Sequence, residues 1–329
     1  GSNMGLADSL EVFSIYAQES SASNEQCKFI VQFPVTADDA GTTIISDRNN
    51  NNIPASGSVN FYLRVFDVAT NQTTPRDFTL VASPISQSWE EGYGLDMENY
   101  SDLTYGGTGS NWMSASATSV WTNIVPENLE GGSFLSASWM GAASDNYNEF
   151  NYKQTFGTGV GDLEVDITGL VEQWILGTAG TGPAGAGYSN YGVGVMLTAS
   201  QASGIRSYYT KKFSARGSEY FFKRPIIEAR WDDSRKDNRG NFYVSSSNMN
   251  SADNLNTLYL YNYVRGQPTD LPNLGDAREI FVRIYTSSSM GEVIPAVGSG
   301  SFEYLNAVTG GWVATGIYSA SFALDTTAS

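Results

Sequence analysis

Residues 205–231 read I-R-S-Y-Y-T-K-K-F-S-A-R-G-S-E-Y-F-F-K-R-P-I-I-E-A-R-W, and the reading of this stretch decides the fold. It carries Arg206, Lys211, Lys212, Arg216, Lys223, Arg224 and Arg230, a large share of the 18 basic residues in a chain of net charge −16. Tyr208, Tyr209 and Phe213 mark a β-rich run, residues 214–218 carry a turn around Gly217, and residues 220–231 form a second run. In that second run Ile227, Ala229 and Trp231 alternate with Glu228 and Arg230, the period of a strand with one face on a core. Pro225 donates no hydrogen bond, which places it at the start or the outer edge of that strand. The stretch is expected to be the closing hairpin of a β-domain, with Arg216, Glu228 and Arg230 forming ion pairs across it or, as the sharper alternative, meeting an acidic neighbouring subunit.

Working outward, the composition agrees with an all-β chain. With 329 residues, 41% of them hydrophobic, there is material for one large or two medium cores. Only 16% of residues are charged, 13% are aromatic, and there are 34 glycines, the profile of short strands joined by polar turns. A pI near 4.3 argues against nucleic acid as a partner, since phosphate binding rests on clustered Lys and Arg. No apolar run is long enough to span a bilayer, so no membrane partner is expected. The chain has no histidine, which removes the commonest general base and every Ser-His or Cys-His dyad. The single cysteine, Cys27, excludes an intrachain disulfide, and its setting K-F-I-V-Q-F suggests a structural strand residue.

In chain order, the opening G-S-N-M reads as a scar left after tag cleavage, so residues 1–5 are expected to be a disordered start. Residues 10–16 and 27–33 alternate as strands around a polar hairpin loop. Residues 47–54, D-R-N-N-N-N-I-P, read as a polar turn in which Asp47, Asn49 and Asn51 echo a calcium loop, though Asn52 stands where glycine belongs. Residues 59–68 are expected to be a central strand covered on both faces, with Phe61, Leu63 and Val65 on one of them. Residues 161–175 shift period: Leu163, Val165 and Ile167 alternate, then Leu170, Val171, Trp174 and Ile175 recur at helical spacing, with Asp166 or Thr168 as the cap. After Trp231 the charged run D-D-S-R-K-D-N-R-G-N is a linker. Beyond it, apolar runs at 257–264, 279–286, 300–305 and 311–324 read as strands of a small immunoglobulin-like sandwich. The end of the chain soon after that last run suggests a piece of a longer, modular protein.

The order F-I-V-Q-F, N-F-Y-L-R-V-F, W-E-E-G-Y-G, D-I-T-G-L-V-E-Q-W, Y-G-V-G-V-M-L, F-S-A-R and R-P-I-I-E-A-R-W resembles the DNRLRE-type β-sandwich modules related to carbohydrate-binding modules. The runs S-Y-Y-T-K-K-F, R-P-I-I-E-A-R-W-D-D, R-G-N-F-Y and A-D-N-L-N-T-L-Y-L-Y-N-Y-V-R-G resemble virion structural proteins of marine tailed phages, myoviruses of cyanobacteria above all. Two departures stand out: the strand that usually precedes L-E-V-F is missing, and Pro34 replaces an aspartate. The resemblance implies a jelly-roll-like β-sandwich over 6–231, a linker at 232–241 and a smaller immunoglobulin-like β-sandwich over 242–329. It also implies a non-enzymatic role in a virion, with other virion proteins or copies of itself as partners. The competing expectation is a carbohydrate-binding module of a secreted or cell-surface protein.

Three constellations carry chemistry. Trp112, Trp121 and Trp139, with Tyr93, Tyr100 and Tyr105, would stack on the sugar rings of a polysaccharide if exposed; the plainer reading is that they pin down a long loop. Asp96, Glu98 and Asp102 could hold a structural Ca2+ through hard oxygen ligands, the one cofactor the sequence suggests. Glu90, Glu91, Asp96 and Glu98 can be imagined as a glycosidase pair, which needs carboxyls ~5–9 Å apart across a substrate, but adjacent loop acids are far more often solvated.

Overall fold

The computed structural model describes residues 3–17, 20–21, 23–35, 43–69, 76–95, 108–122, 131–135, 152–177, 187–250, 254–285, 289, 296–297 and 307–324. It is mostly β, with several antiparallel sheets and few helices, and it divides into two compact units, Gly1–Asp232 and Asp233–Ser329.

The first unit runs β1 (Ser9–Tyr16), β2 (Asn24–Cys27), β3 (Phe29–Val31), α1 (Ile44–Asn49), β4 (Asn60–Val65), β5 (Phe78–Pro84), β6 (Tyr152–Phe156), β7 (Leu163–Asp166), α2 (Thr168–Leu176), β8 (Val193–Leu197), α3 (Ala199–Ala202), β9 (Tyr208–Ser214) and β10 (Ile226–Arg230). Its three antiparallel sheets have the orders β2-β1-β9, β10-β4-β7 and β3-β8-β5-β6. Residues just past β4 tie the first two sheets together, because Ser214 N–H donates to the Phe66 carbonyl and Val68 N–H to that of Lys212.

The alternation of β4 comes out as read: Phe61, Leu63 and Val65 are fully buried, while Tyr62 and Arg64 are half-buried. Those three residues enter one core with Val12 of β1, Phe29 of β3, Phe213 of β9 and Trp174 of α2, so every sheet contributes to it. The helix follows the expected change of period and buries Leu170, Val171 and Trp174, but its N-cap position is Ile167, which makes no side-chain cap, rather than Asp166 or Thr168. Asp166 Oδ1 accepts from the Thr168 N–H and hydroxyl, and Thr168 Oγ1 accepts from Phe61 N–H at 2.8 Å, fixing the start of α2 to β4.

Four expectations need correction. Residues 205–231 are not a hairpin. β9 pairs with β1 (Leu10 opposite Phe213) and β10 with β4 (Ile227 opposite Leu63), so the two strands lie in different sheets. The run 27–33 is likewise shared: β2 pairs with β1, and after Lys28 β3 crosses to pair with β8. The polar turn at 47–54 begins inside α1, which a Thr43–Ser46 capping box initiates and which places Asp47 and Asn49 on a helix. Arg48 of α1 makes a bidentate ion pair with Glu172 of α2, both oxygens at 2.7 Å. Finally, Asn3 is buried and hydrogen-bonded, so an ordered contact begins inside the stretch expected to be disordered.

The second unit holds β11 (Asn256–Tyr261), β12 (Tyr263–Val264), β13 (Gln267–Pro268), β14 (Ile280–Val282), β15 (Ala296–Val297), β16 (Val308–Ala314) and β17 (Ile317–Leu324). The sheet order is β11-β17-β16-β14, with β15 beside β17, and Val308, Ala320, Phe322 and Leu324 form its core. The run 311–324 is a hairpin rather than one strand. Gly316 turns it with φ +71°, a conformation glycine supplies, and Asp270 Oδ1 accepts from its N–H at 2.7 Å. Part of the charged run at 232–241 lies against β11, where Asp237 accepts from Tyr259 N–H and Asn238 N–H donates to the Thr257 carbonyl. Charged groups on an open strand edge of this kind discourage pairing with another chain. The run 300–305 lies outside the described residues.

Of the residues expected to pair across a hairpin, Arg216 binds Glu91 instead, while Glu228 and Arg230 join an ion-pair network on the outer face of β10-β4-β7. Arg230 binds Glu164 of β7 at 2.8 Å and Glu228 at 2.5 Å, and Arg64 of β4 binds Glu228 at 2.6 Å. The guanidinium of Arg230 lies 4.1 Å from the centre of the Tyr62 ring and that of Arg64 5.1 Å from Phe66. That face of β4 is thus clothed by its own charges and rings. Hydrogen bonds from Arg230 hold the Glu164 and Glu228 carboxyls below the usual carboxylate range, and the Arg239 guanidinium lowers Asp237 to about 2. Carboxyls depressed in the folded state lend stability above their unfolded pKa and lose it as pH falls through the folded value. Urea midpoints are therefore expected to hold from pH 7 to about 5 and decline between about pH 5 and pH 2. In Glu228→Gln the decline should be shallower, and an unchanged slope would contradict the assignment.

Candidate interaction surface

Between β9 and β10 the chain makes an ordered connection that ends in a turn of 3-10 helix, Phe221–Lys223. Its start is held by Ala215 N–H donating to the Asp8 carbonyl and Ser218 N–H to that of Ala215. Its end is held by Lys223 N–H donating to the Tyr220 carbonyl and Arg224 Nε to that of Ser218 at 3.1 Å. Arg216 reaches sideways to Glu91 through two hydrogen bonds of 3.1 and 2.7 Å, linking the connection to the W-E-E-G-Y-G loop.

The fixed backbone presents three consecutive aromatics to solvent. Tyr220 is 63%, Phe221 66% and Phe222 89% exposed. Phe221 and Phe222 meet edge to face at 5.5 Å, and the Arg224 guanidinium lies 5.3 Å from the Phe221 ring. Exposed Lys223 adds a second cation. A clustered apolar surface rimmed by charge is what marks a protein contact, whereas isolated exposed hydrophobics do not.

The residues singled out in the sequence fall elsewhere. Trp121 is 5% exposed, packs with Ile85, Phe134 and Met196, and donates Nε1 to the Asn111 carbonyl at 2.8 Å. Trp112 is half-buried and carries the Lys28 ammonium 4.4 Å from its ring centre. Trp89, packed against the cluster that holds Trp121, is likewise anchored, with Nε1 donating to the Tyr191 carbonyl. Tyr93 is exposed. Trp121→Ala is expected to cost about 3 kcal/mol in chemical denaturation through the cavity it leaves; an unchanged midpoint would show the ring to be dispensable for folding. Trp139, Tyr100, Tyr105, Asp96, Glu98 and Asp102 lie outside the described residues.

Among the described residues no three His, Cys, Asp or Glu side chains converge to hold a metal. Asp47 Oδ1 accepts from the Asn52 side chain, so the calcium-like echo there is an internal hydrogen bond. Glu90 Oε2 accepts from Gly109 N–H and Glu91 faces Arg216, which leaves both acids engaged. Burial pushes the Cys27 thiol up to about 12, where thiolate chemistry is suppressed.

The W-E-E-G-Y-G loop is wired through Asn3. Its Nδ2 donates to the Glu91 and Ser110 carbonyls, and its Oδ1 accepts from Gly5 and Gly94 N–H. A Cβ on Gly94 would sit 1.6 Å from the Asn3 carbonyl oxygen, so only glycine lets the two segments approach.

Compared with family models, curated proteins and solved structures, the chain matches none of them.

Proposed function

We propose that the chain is a non-enzymatic structural protein of a tailed-phage particle, acting through protein–protein contacts. The observation that carries the reading is the ordered aromatic surface of Tyr220, Phe221 and Phe222, with Phe222 89% exposed. Its basic rim of Lys223 and Arg224 stands out in a chain with 34 acidic and 18 basic residues, so its natural complement is an acidic protein. Copies of the same chain meet that description, as do other acidic virion proteins. The architecture that accompanies this role is a jelly-roll-like sandwich in the first unit and an immunoglobulin-like sandwich in the second. The first is supported by one core fed from all three sheets, the second by an antiparallel sheet that buries one face. The virion assignment rests on the motif resemblance.

The carbohydrate-binding reading draws no support from Trp121, which is committed to the core. A glycan array of marine polysaccharides is expected to show no binding by the intact chain. A hit abolished by Trp112→Ala or Trp139→Ala would replace the structural role with a carbohydrate-binding one. The genes flanking this one are expected to encode tail or capsid components.

A further inference from the structure

We propose that Lys211 and Asp67 form an intramolecular amide bond, joining β9 covalently to the chain leaving β4. Lys211 is the only fully buried charged residue among those described, 2% exposed. Its Nζ lies 2.5 Å from Asp67 Oδ1 and donates to the Gly159 carbonyl at 2.9 Å. The rings of Phe156 and Phe213 flank the nitrogen at 5.1 and 5.5 Å from their centres.

The backbone holds both partners in register. Asp67 bridges to Phe213 of β9, so Lys211 is its diagonal neighbour on the same face of that strand. Val68 N–H donates to the Lys212 carbonyl, and Asp67 N–H donates to Asp162 Oδ1 at 2.8 Å. Nucleophile and electrophile are thus held in contact, which is the condition for a large intramolecular rate advantage.

The step balances without any co-reactant. A proton passes along the short hydrogen bond from the ammonium to the carboxylate, leaving a neutral amine against a neutral acid. The nitrogen lone pair attacks Cγ of Asp67 and the C–N bond forms. The C–O bond of the hydroxyl then breaks, and the hydroxyl leaves with the second nitrogen proton as water. The Asp67 side chain is 17% exposed, which gives that water a way out. Condensation also removes two charges from an apolar enclosure and puts a neutral amide in their place, which favours the product where an ion pair is poorly solvated. Lys212 and Glu11 provide the contrast. They touch at 2.6 Å, but their side chains are 34% and 27% exposed, so water keeps that pair ionic.

Intact-mass spectrometry of the denatured full chain, incubated folded at neutral pH to constant mass, tests the proposal. The expected mass is that of the sequence less one water. Tandem spectra of a proteolytic digest should contain a branched peptide joining Lys211 to Asp67, with no cleavage by trypsin after Lys211. Lys211→Arg should return to the full sequence mass. A wild-type chain of full sequence mass would overturn the proposal and leave an ion pair only. A lost water that maps to any other pair, Lys212 and Glu11 included, would overturn it equally.

Discussion

Asp67→Ala is expected to destabilise the first unit by about 3–5 kcal/mol, because it leaves the Lys211 ammonium buried between Phe156 and Phe213 without its counter-charge. Lys211→Met is expected to cost less. Methionine fills the same apolar slot, and the Asp67 carboxylate, 17% exposed, keeps a route to water. The ordering of the two variants holds whether the pair is ionic or joined, since each variant abolishes the link and only Asp67→Ala strands a buried charge. Equilibrium urea unfolding reads both values. A Lys211→Met protein less stable than Asp67→Ala would show that desolvation of the lysine is not the controlling cost.

The second large effect belongs to Trp174. At 1% exposure it is among the largest fully buried side chains, and it anchors α2 against the core shared by the three sheets. Trp174→Ala is expected to lose about 3–5 kcal/mol, which for a unit of this size lowers the melting temperature by on the order of 10 °C. Trp174→Phe should lose much less, because the buried Nε1 donates to no described group and phenylalanine gives up no hydrogen bond. Equal losses in the two variants would mean that the indole nitrogen has a partner on which the packing depends.

These two predictions rest on features of different legibility. The burial of Phe61, Leu63, Val65 and Trp174 follows from period alone, since alternation and helical spacing are local properties of the chain. The Lys211–Asp67 contact does not, because it depends on which strands pair. The period-2 pattern of residues 205–231 announces two strands and cannot name their partners. A short turn through Gly217 suggests a hairpin, yet β9 finds β1 and β10 finds β4, partners far away in sequence. The register that places Arg230 between Glu164 and Glu228 is non-local for the same reason.

Local misreadings have local causes. The capping box of α1 closes with Ser46 rather than Glu or Gln, so the polar residues after it read as a turn. Gly316 sits inside an apolar run that reads as one strand, although its positive φ makes it the turn. Trp121 and Phe222 show the limit from both sides. Each is an aromatic in a polar connection, and only the fold decides that Trp121 is 5% exposed and Phe222 89%. A run of three aromatics directly before K-R-P was the available signal for the surface, because Pro225 ends regular pairing there and leaves the preceding rings outside a ladder.

The account's central claim is that this aromatic surface makes a protein contact, with a second acidic copy of the chain as the partner it meets in solution. Sedimentation velocity of the chain at rising concentration, beside Phe222→Ser, measures it most directly. Self-association that grows with concentration and weakens with salt is predicted for the parent chain, and its loss in Phe222→Ser at unchanged circular dichroism and melting temperature. A parent chain that stays monomeric throughout, or a Phe222→Ser variant that associates as strongly as the parent, would contradict it.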